Sequence, residues 1–223
     1  MKILDKIVED KRLEVAKLSS TSSLKKLESK SLFSRKCISL KDSILKSPGG
    51  IICEFKRRSP SNNNINYKSN ISEVVRGYEK AGAAGLSILT NKQYFDGDIK
   101  DILNIIDIAS IPILRKEFII SEYQIIESKS IGSDAILLIA SILSKEEIKN
   151  FSSLAKSIGL EVLYEIHDAR ELEKISWDNT DIIGVNNRNL DTLEIDIQNS
   201  IDVYSMIPES FVKISESGIS KVE

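Results

Sequence analysis

The chain has 223 residues, of which 41% are hydrophobic, 29% charged and 6% aromatic, the profile of a globular protein built as one domain of alternating elements. Its 31 basic and 33 acidic side chains leave a formal charge of −2, too weak a field to draw in a polyanion, which argues against nucleic acid as a partner. Apolar runs such as Ala135–Ala140 fall far short of the roughly 20 residues that cross a bilayer, and Met1–Leu18 is charged throughout, so neither a membrane span nor a signal peptide is predicted.

Cys37 and Cys53 lie far apart and form no Cys-x-x-Cys pair, which suggests neither a disulfide framework nor a thiolate metal site and fits a reducing, cytoplasmic setting. His167 is the single histidine. His-rich metal sites are thereby excluded, and the chemistry falls to Lys, Glu, Asn, Arg and Ser.

In chain order, residues 1–48 read as a helical extension. Ile3, Leu4, Ile7, Val8 and Val15 recur at helical spacing among charges, Ser19–Lys36 reads as a Ser/Lys-rich linker, and a short helix is predicted near Leu40–Leu45. Residues 49–223 then alternate short β-branched runs with longer amphipathic stretches. The predicted strands are Ile51–Phe55, Leu86–Leu89, Ile113–Lys116, Ala135–Ile139, Glu161–Glu165, Ile182–Val185 and Phe211–Ser215. The predicted helices are Ile71–Ala81, Ile99–Ala109, Glu122–Ser130, Lys145–Ser157, Ala169–Ile175 and Ile197–Met206, with Ser144 placed to cap the fourth. Strand, helix, strand at this spacing means βα units and a parallel sheet. Runs apolar at consecutive positions, such as Ala135-Ile136-Leu137-Leu138-Ile139, fit strands covered on both faces. Gly82, Gly85, Gly132 and Gly159 fall between helix and strand and read as left-handed C-caps, since no Gly-x-Gly-x-x-Gly pattern is present.

Polar residues at the carboxyl ends of parallel strands carry the functional signal, because that end forms the site in barrels and open α/β sheets. Glu54 and Lys56 share a strand face at i, i+2, and read alone are equally a solvated strand end. Lys116 and Glu165 bring an ammonium and a carboxylate to the same end of the sheet, either an acid–base pair or a rim ion pair. Asn186 and Arg188 offer an amide and a guanidinium suited to a carboxylate or phosphate, or form a polar turn. Ser215, Ser217 and Gly218 close the seventh strand, where backbone N–H groups could approach an anion. Phe95, Leu137 and Leu138 could wall an aromatic substrate or belong to the core. His167-Asp168 reads as a loop entering a helix, with Asp168 its N-cap.

The segments Ile52-Cys53-Glu54-Phe55-Lys56-Arg57-Arg58-Ser59-Pro60-Ser61, Leu86-Ser87-Ile88-Leu89-Thr90, Leu114-Arg115-Lys116-Glu117-Phe118-Ile119, Gly184-Val185-Asn186-Asn187-Arg188-Asn189-Leu190 and Ser215-Glu216-Ser217-Gly218-Ile219 resemble, in order and spacing, the indole-3-glycerol phosphate synthase family. The resemblance implies an α/β fold of the TIM (β/α)₈ type with an N-terminal helical extension. It also implies a carboxy-lyase of tryptophan biosynthesis that converts 1-(2-carboxyphenylamino)-1-deoxyribulose 5-phosphate to indole-3-glycerol phosphate, with loss of CO₂ and water and without metal or organic cofactor. Carried over by motif, Lys116 matches the general acid and Glu165 the residue assisting proton transfer. Glu54 and Lys56 match the pair tied to substrate carboxylate binding and dehydration. Asn186, Arg188 and Ser217 match positioning residues, with Ser59 and Gly218 left to hold the phosphate; for such a substrate Phe95 and Leu137 would be apolar walls if they are not core.

The sequence ends at Lys221-Val222-Glu223, just after the predicted seventh strand, where that family continues through a helix, an eighth strand and a final helix. The expectation is a barrel truncated after strand seven, its first and seventh strands carrying unpaired edges, its phosphate cup reduced to Ser217-Gly218 and the Lys56 and Ser59 segment. A partial sequence accounts for this better than a seven-stranded enzyme, because closure removes sheet edges. Oligomeric state stays open, a monomer being expected of a complete barrel. Two other readings remain: an inert fragment that self-associates through its open edges, and an aldolase using Lys116 or Lys56 as a Schiff-base nucleophile.

Overall fold

The computed structural model describes residues 3–190 and 192–220; the expectations that touch Met1 and Lys221-Val222-Glu223 lie outside them. Seven parallel strands succeed one another in sequence order: β1 (Ile52–Phe55), β2 (Gly85–Leu89), β3 (Ile113–Lys116), β4 (Ala135–Ile139), β5 (Glu161–Ile166), β6 (Ile182–Asn186) and β7 (Val212–Glu216). Adjacent strands about 4.8 Å apart would put β3 and β7 about 19 Å apart in a flat sheet. Instead the Lys116 ammonium on β3 contacts Glu216 on β7, so the sheet is curled into most of a barrel.

Strand alternation separates two layers. Leu114, Leu137, Leu163, Ile182 and Val212 meet inside the curl, with Ile52 and Ile214 packed against them. Ile136, Leu138, Val162, Tyr164, Ile183 and Val185 point outward onto the helices. Leu138 is thus corrected from a candidate substrate wall to the helix-facing layer, since its period-2 neighbour Leu137 takes the inner side.

The outer helices are α4 (Ile71–Lys80), α5 (Lys92–Phe95), α6 (Ile99–Ile105), α7 (Glu122–Ser130), α8 (Lys145–Ser157) and α9 (Gln198–Tyr204). Ser144 and Glu147 close a reciprocal capping box on α8, which fixes its start where the sequence places it. The helix predicted over Ala169–Ile175 is instead a 3₁₀ helix, Ala169–Lys174, capped by Asp168. Ala169, Leu172 and Ile175 all pack on the same core, and a spacing of three is the repeat of a 3₁₀ turn, not of an α-helix. Gly82, Gly132 and Gly159 adopt positive φ, but Gly85 does not. Gly85 opens β2, where a Cβ would sit 2.5 Å from Leu40 Cδ1, so close packing and not a left-handed turn demands glycine there.

Ahead of β1 come α1 (Ile3–Thr21), α2 (Leu24–Glu28), a 3₁₀ turn at Ser31–Ser34 and α3 (Leu40–Lys46). The predicted Ser19–Lys36 linker is therefore structured. Ser23 caps α2, whose Leu27 is buried with Val15, Tyr123 and Ile126. Leu40 of α3 is fully buried among the inner residues at the amino end of the barrel. Asp134, just before β4, accepts from the backbone N–H groups of Ile38 and Ile113, each at 2.8 Å, and pairs with Arg35. Glu161 accepts from Ser39 Oγ and from Lys41 N at 2.9 Å. The first helix goes to the opposite end: Lys11 forms a buried ion pair with Glu117 at 3.1 Å, directly after β3. The segment before β1 thus plugs one end of the sheet and roofs the other.

Candidate active site

Inner-face polar residues concentrate at the carboxyl ends of the strands, where βα loops supply walls without disturbing the sheet. Lys116 Nζ stands 2.9 Å from Glu165 Oε2 on β5 and also contacts Glu216 on β7. On β1, Glu54 pairs with Lys56 at 2.6 Å and accepts from Ser87 Oγ of β2 at 3.3 Å. Asn186 Nδ2 donates to Glu165 Oε1 at 3.2 Å, and Asn186 Oδ1 accepts from Ser217 Oγ at 2.9 Å and from Arg188 N at 3.0 Å. One chain of bonds therefore runs from β3 through β5 and β6 to the turn after β7.

The electrostatics follow from burial and proximity. Burial works against the Lys116 ammonium, but Glu165, Glu216 and Glu54 outweigh it and hold its pKa above the usual lysine range. Burial likewise disfavours the Glu165 carboxylate, yet Lys116 and His167 keep its pKa below the ordinary value. Glu216 goes the other way. Burial, reinforced by the Glu165 charge and only partly offset by Lys116, pushes it up to about 7, so two carboxylates share one ammonium and only one is fully ionised near neutrality.

A cavity of about 780 Å³ opens over these groups, large enough for a drug-sized ligand. Glu54, Lys56, Ser59, Phe95, Lys116, Leu137, Glu165, Asn186, Arg188, Ser217 and Gly218 all line it, so these candidates from the sequence share one surface, from which Leu138 is absent. Phe95 and Phe118 lie 6.1 Å apart between ring centres on one side. Ser59 sits in the loop after β1, which folds back through a Ser59–Asn62 bridge and is anchored to α6 by Arg57 gripping Asp101 at 2.6 and 2.8 Å. Ser217 and Gly218 are consecutive left-handed residues, with φ of 69° and 78°, the sharp turn that ends β7. Arg188 is held by its own loop, Nη1 donating to the Leu193 carbonyl at 2.9 Å. Ser215 also borders the cavity, and its hydroxyl bonds Asn187 Nδ2 at 2.8 Å and Ser200 Oγ at 2.7 Å, tying β7 to α9.

Two contributions escaped the sequence reading. Glu216 lay inside a quoted motif, but the seventh strand was ended one residue early at Ser215; continuing the alternation Val212, Ile214, Glu216 places that carboxylate inward. Ile3, Leu4 and Ile7 of α1 line the cavity mouth, a long-range contact that leaves no local pattern. The geometry also weighs against Schiff-base chemistry at Lys116, since an amine held this firmly as ammonium is a poor nucleophile.

The family model for indole-3-glycerol phosphate synthase matches residues 4–223. An indole-3-glycerol phosphate synthase of Bacteroides thetaiotaomicron is 42% identical over 221 residues, covering 99% of this chain and 85% of that protein. One from Endomicrobium trichonymphae is 41% identical, covering 97% and 85%. Among solved structures, the YdjI aldolase from Escherichia coli K12 superposes with a TM-score of 0.52 at 14% identity, over 79% of this chain and 78% of that one, a likeness of fold alone. With a family match over residues 4–223 and relatives near 40% identity over nearly all of its length, the chain belongs to the indole-3-glycerol phosphate synthase family.

Proposed function

We propose that the cavity binds 1-(2-carboxyphenylamino)-1-deoxyribulose 5-phosphate and converts it to indole-3-glycerol phosphate by acid–base catalysis. The observation that carries this reading is the Lys116 ammonium, fixed between Glu165 and Glu216 beneath apolar walls. Closing the pyrrole ring forms a carbon–carbon bond to the ketone carbon and throws negative charge onto the ketone oxygen. An ammonium held there, away from bulk water, supplies both the stabilising field and the proton. Loss of CO₂ then restores the aromatic ring, and departure of the hydroxyl as water requires one proton delivered to oxygen and one removed from the substrate. Glu165, bonded to Lys116, is the group we assign to the removal.

Glu54 and Lys56 are assigned to the substrate carboxylate and the dehydration step, Lys56 supplying the positive charge and Ser87 orienting Glu54. Phe95 and Leu137 flank the aromatic ring. Ser59, Arg188, Ser217 and Gly218 are placed toward the sugar phosphate, with Asn186 fixing both Glu165 and Ser217. We place the reaction in the cytoplasm, consistent with two free cysteines. No helix among the described residues is long and apolar enough to cross a membrane.

The test is a single-turnover assay with protein in excess over the carboxyphenylamino-deoxyribulose phosphate, following indole fluorescence. Turnover that Lys116→Ala lowers by about 10²-fold or more, with KM little changed, is the expected result. An unchanged kcat in the folded variant removes the assignment of Lys116.

A further inference from the structure

A second cavity of about 650 Å³ adjoins the first, with Leu4, Asn186, Arg188 and Leu190 common to both. Glu165 borders only the first and His167 only the second. The imidazole stands between them. Its Nε2 faces Glu165 Oε1 at 3.4 Å and its Nδ1 faces Glu171 Oε2 at 3.6 Å, closing a hydrogen bond to neither. The ring is held in place from its backbone: His167 N donates to Glu171 Oε2 at 2.7 Å and the His167 carbonyl accepts from Asn199 Nδ2 at 3.0 Å. A half-buried ring whose two nitrogens are themselves buried and face carboxylates, one catalytic by the assignment above and one outside the site, is the arrangement of a proton relay.

The reaction needs such a route. With the substrate carboxylate ionised, release of CO₂ and water consumes one proton per turnover, and Glu165 and Lys116 are largely shut off from solvent. We propose that His167 relays this proton from the second cavity to Glu165. Nε2 of the imidazolium gives its proton to Glu165 Oε1, the Glu165 carboxyl rotates and passes that proton to the Lys116 amine left by protonating the substrate, and the neutral ring, left protonated at Nδ1, turns to regain a proton at Nε2 from water in the second cavity, which His167 lines. No electrons move, and the sum is one solvent proton delivered to Lys116. His167 acts through Glu165 and does not touch substrate.

The charged groups bearing on the ring are Glu165 on its own strand, Glu171 in the following 3₁₀ turn and Glu216 on β7. Burial disfavours the imidazolium, but these carboxylates prevail and raise its pKa, so the proton-carrying form persists to higher pH than in a free imidazole. The relay therefore fails as pH rises through that pKa, giving kcat an alkaline limb.

This inference rests on the acid–base role given to Glu165, and the experiment separates the two. Wild type, Glu165→Gln, His167→Ala and Glu171→Gln are compared for kcat, KM and pH profile, with and without added imidazole. The expected result is a fall in kcat of about tenfold or more in His167→Ala, with KM little changed and the loss restored by imidazole in a saturating manner. In Glu171→Gln the alkaline limb moves to lower pH, because the ring loses a carboxylate that favours its charged form. A folded His167→Ala variant with wild-type kcat, or one whose loss imidazole does not restore, overturns the relay while leaving Glu165 in place. If His167→Ala does not fold, Glu171→Gln decides alone: an unmoved limb overturns the relay. Wild-type turnover unaffected by Glu165→Gln defeats the parent assignment instead.

Discussion

The two ends of the barrel both bury charge, and they treat it differently. At the amino end each carboxylate is surrounded by donors. Asp134 has two backbone N–H groups and Arg35, Glu161 has Ser39 and the Lys41 N–H, and Asp181 has Val162 N–H at 2.9 Å and Lys156 at 2.5 Å. At the carboxyl end Glu165 and Glu216 compete for one lysine, Glu216 Oε1 and both His167 nitrogens lack a hydrogen-bond partner among the described residues, and Asn186 is spread over three contacts. Saturated charge holds an architecture together. Unsaturated charge of mixed sign, opening on a cavity, is a place where protons can move.

The contrast predicts opposite responses to removing a carboxylate. At the carboxyl end, Glu165→Gln should lower kcat by about 10²- to 10⁴-fold, the range of a lost general acid–base group, while leaving the thermal midpoint near that of the wild type. A parallel collapse of stability would show that Glu165 is structural after all. At the amino end, Asp134→Ala should destabilise the fold by about 3–5 kcal/mol, because it strands Arg35 and two backbone donors. Urea titration measures the loss, and the fraction still folded should turn over substrate at the wild-type rate. A strongly reduced kcat in that folded fraction would erase the distinction between the ends.

Inner and outer layers sharpen it further. Leu138→Ala should cost about 2–5 kcal/mol of stability through the cavity it leaves against the helices, with KM unchanged. Leu137→Ala, one residue away and facing the substrate cavity, should raise KM. Equal KM effects from both would mean that the alternation does not separate core from site.

Much of this was legible in the sequence, for reasons that differ by element. β3, β4, α7 and α8 have the predicted bounds, because an unbroken apolar run or a serine cap marks each start within a few residues of the chain itself. The candidate residues fell on one surface because parallel topology sends every strand's carboxyl end the same way. What stayed hidden depended on contacts distant in sequence. Leu27 is the one buried position of the lysine-rich α2, which therefore passes for a linker. The Lys11–Glu117 pair joins residues more than a hundred apart. Glu216 lies one residue past the predicted end of the seventh strand, and only the continued alternation Val212, Ile214, Glu216 brings it to the inner face.

The subtlest consequence concerns Glu216. Its pKa of about 7 against an ordinary value of 4.5 means that folding favours its protonated form. The stability it contributes is fully present below the unfolded value and is lost as pH rises through about 7, where the folded chain must bury a second carboxylate beside Glu165. Glu216→Gln should therefore flatten the decline of the thermal midpoint on the alkaline side, by at most about 3 kcal/mol from the size of the shift. The same substitution leaves Lys116 with one fewer carboxylate, which lowers the lysine pKa and should move any kcat limb that reports it toward neutrality. Midpoints for the two chains that run parallel from acid to alkaline pH would show that Glu216 is already ionised throughout, and that Lys116 satisfies both carboxylates at once.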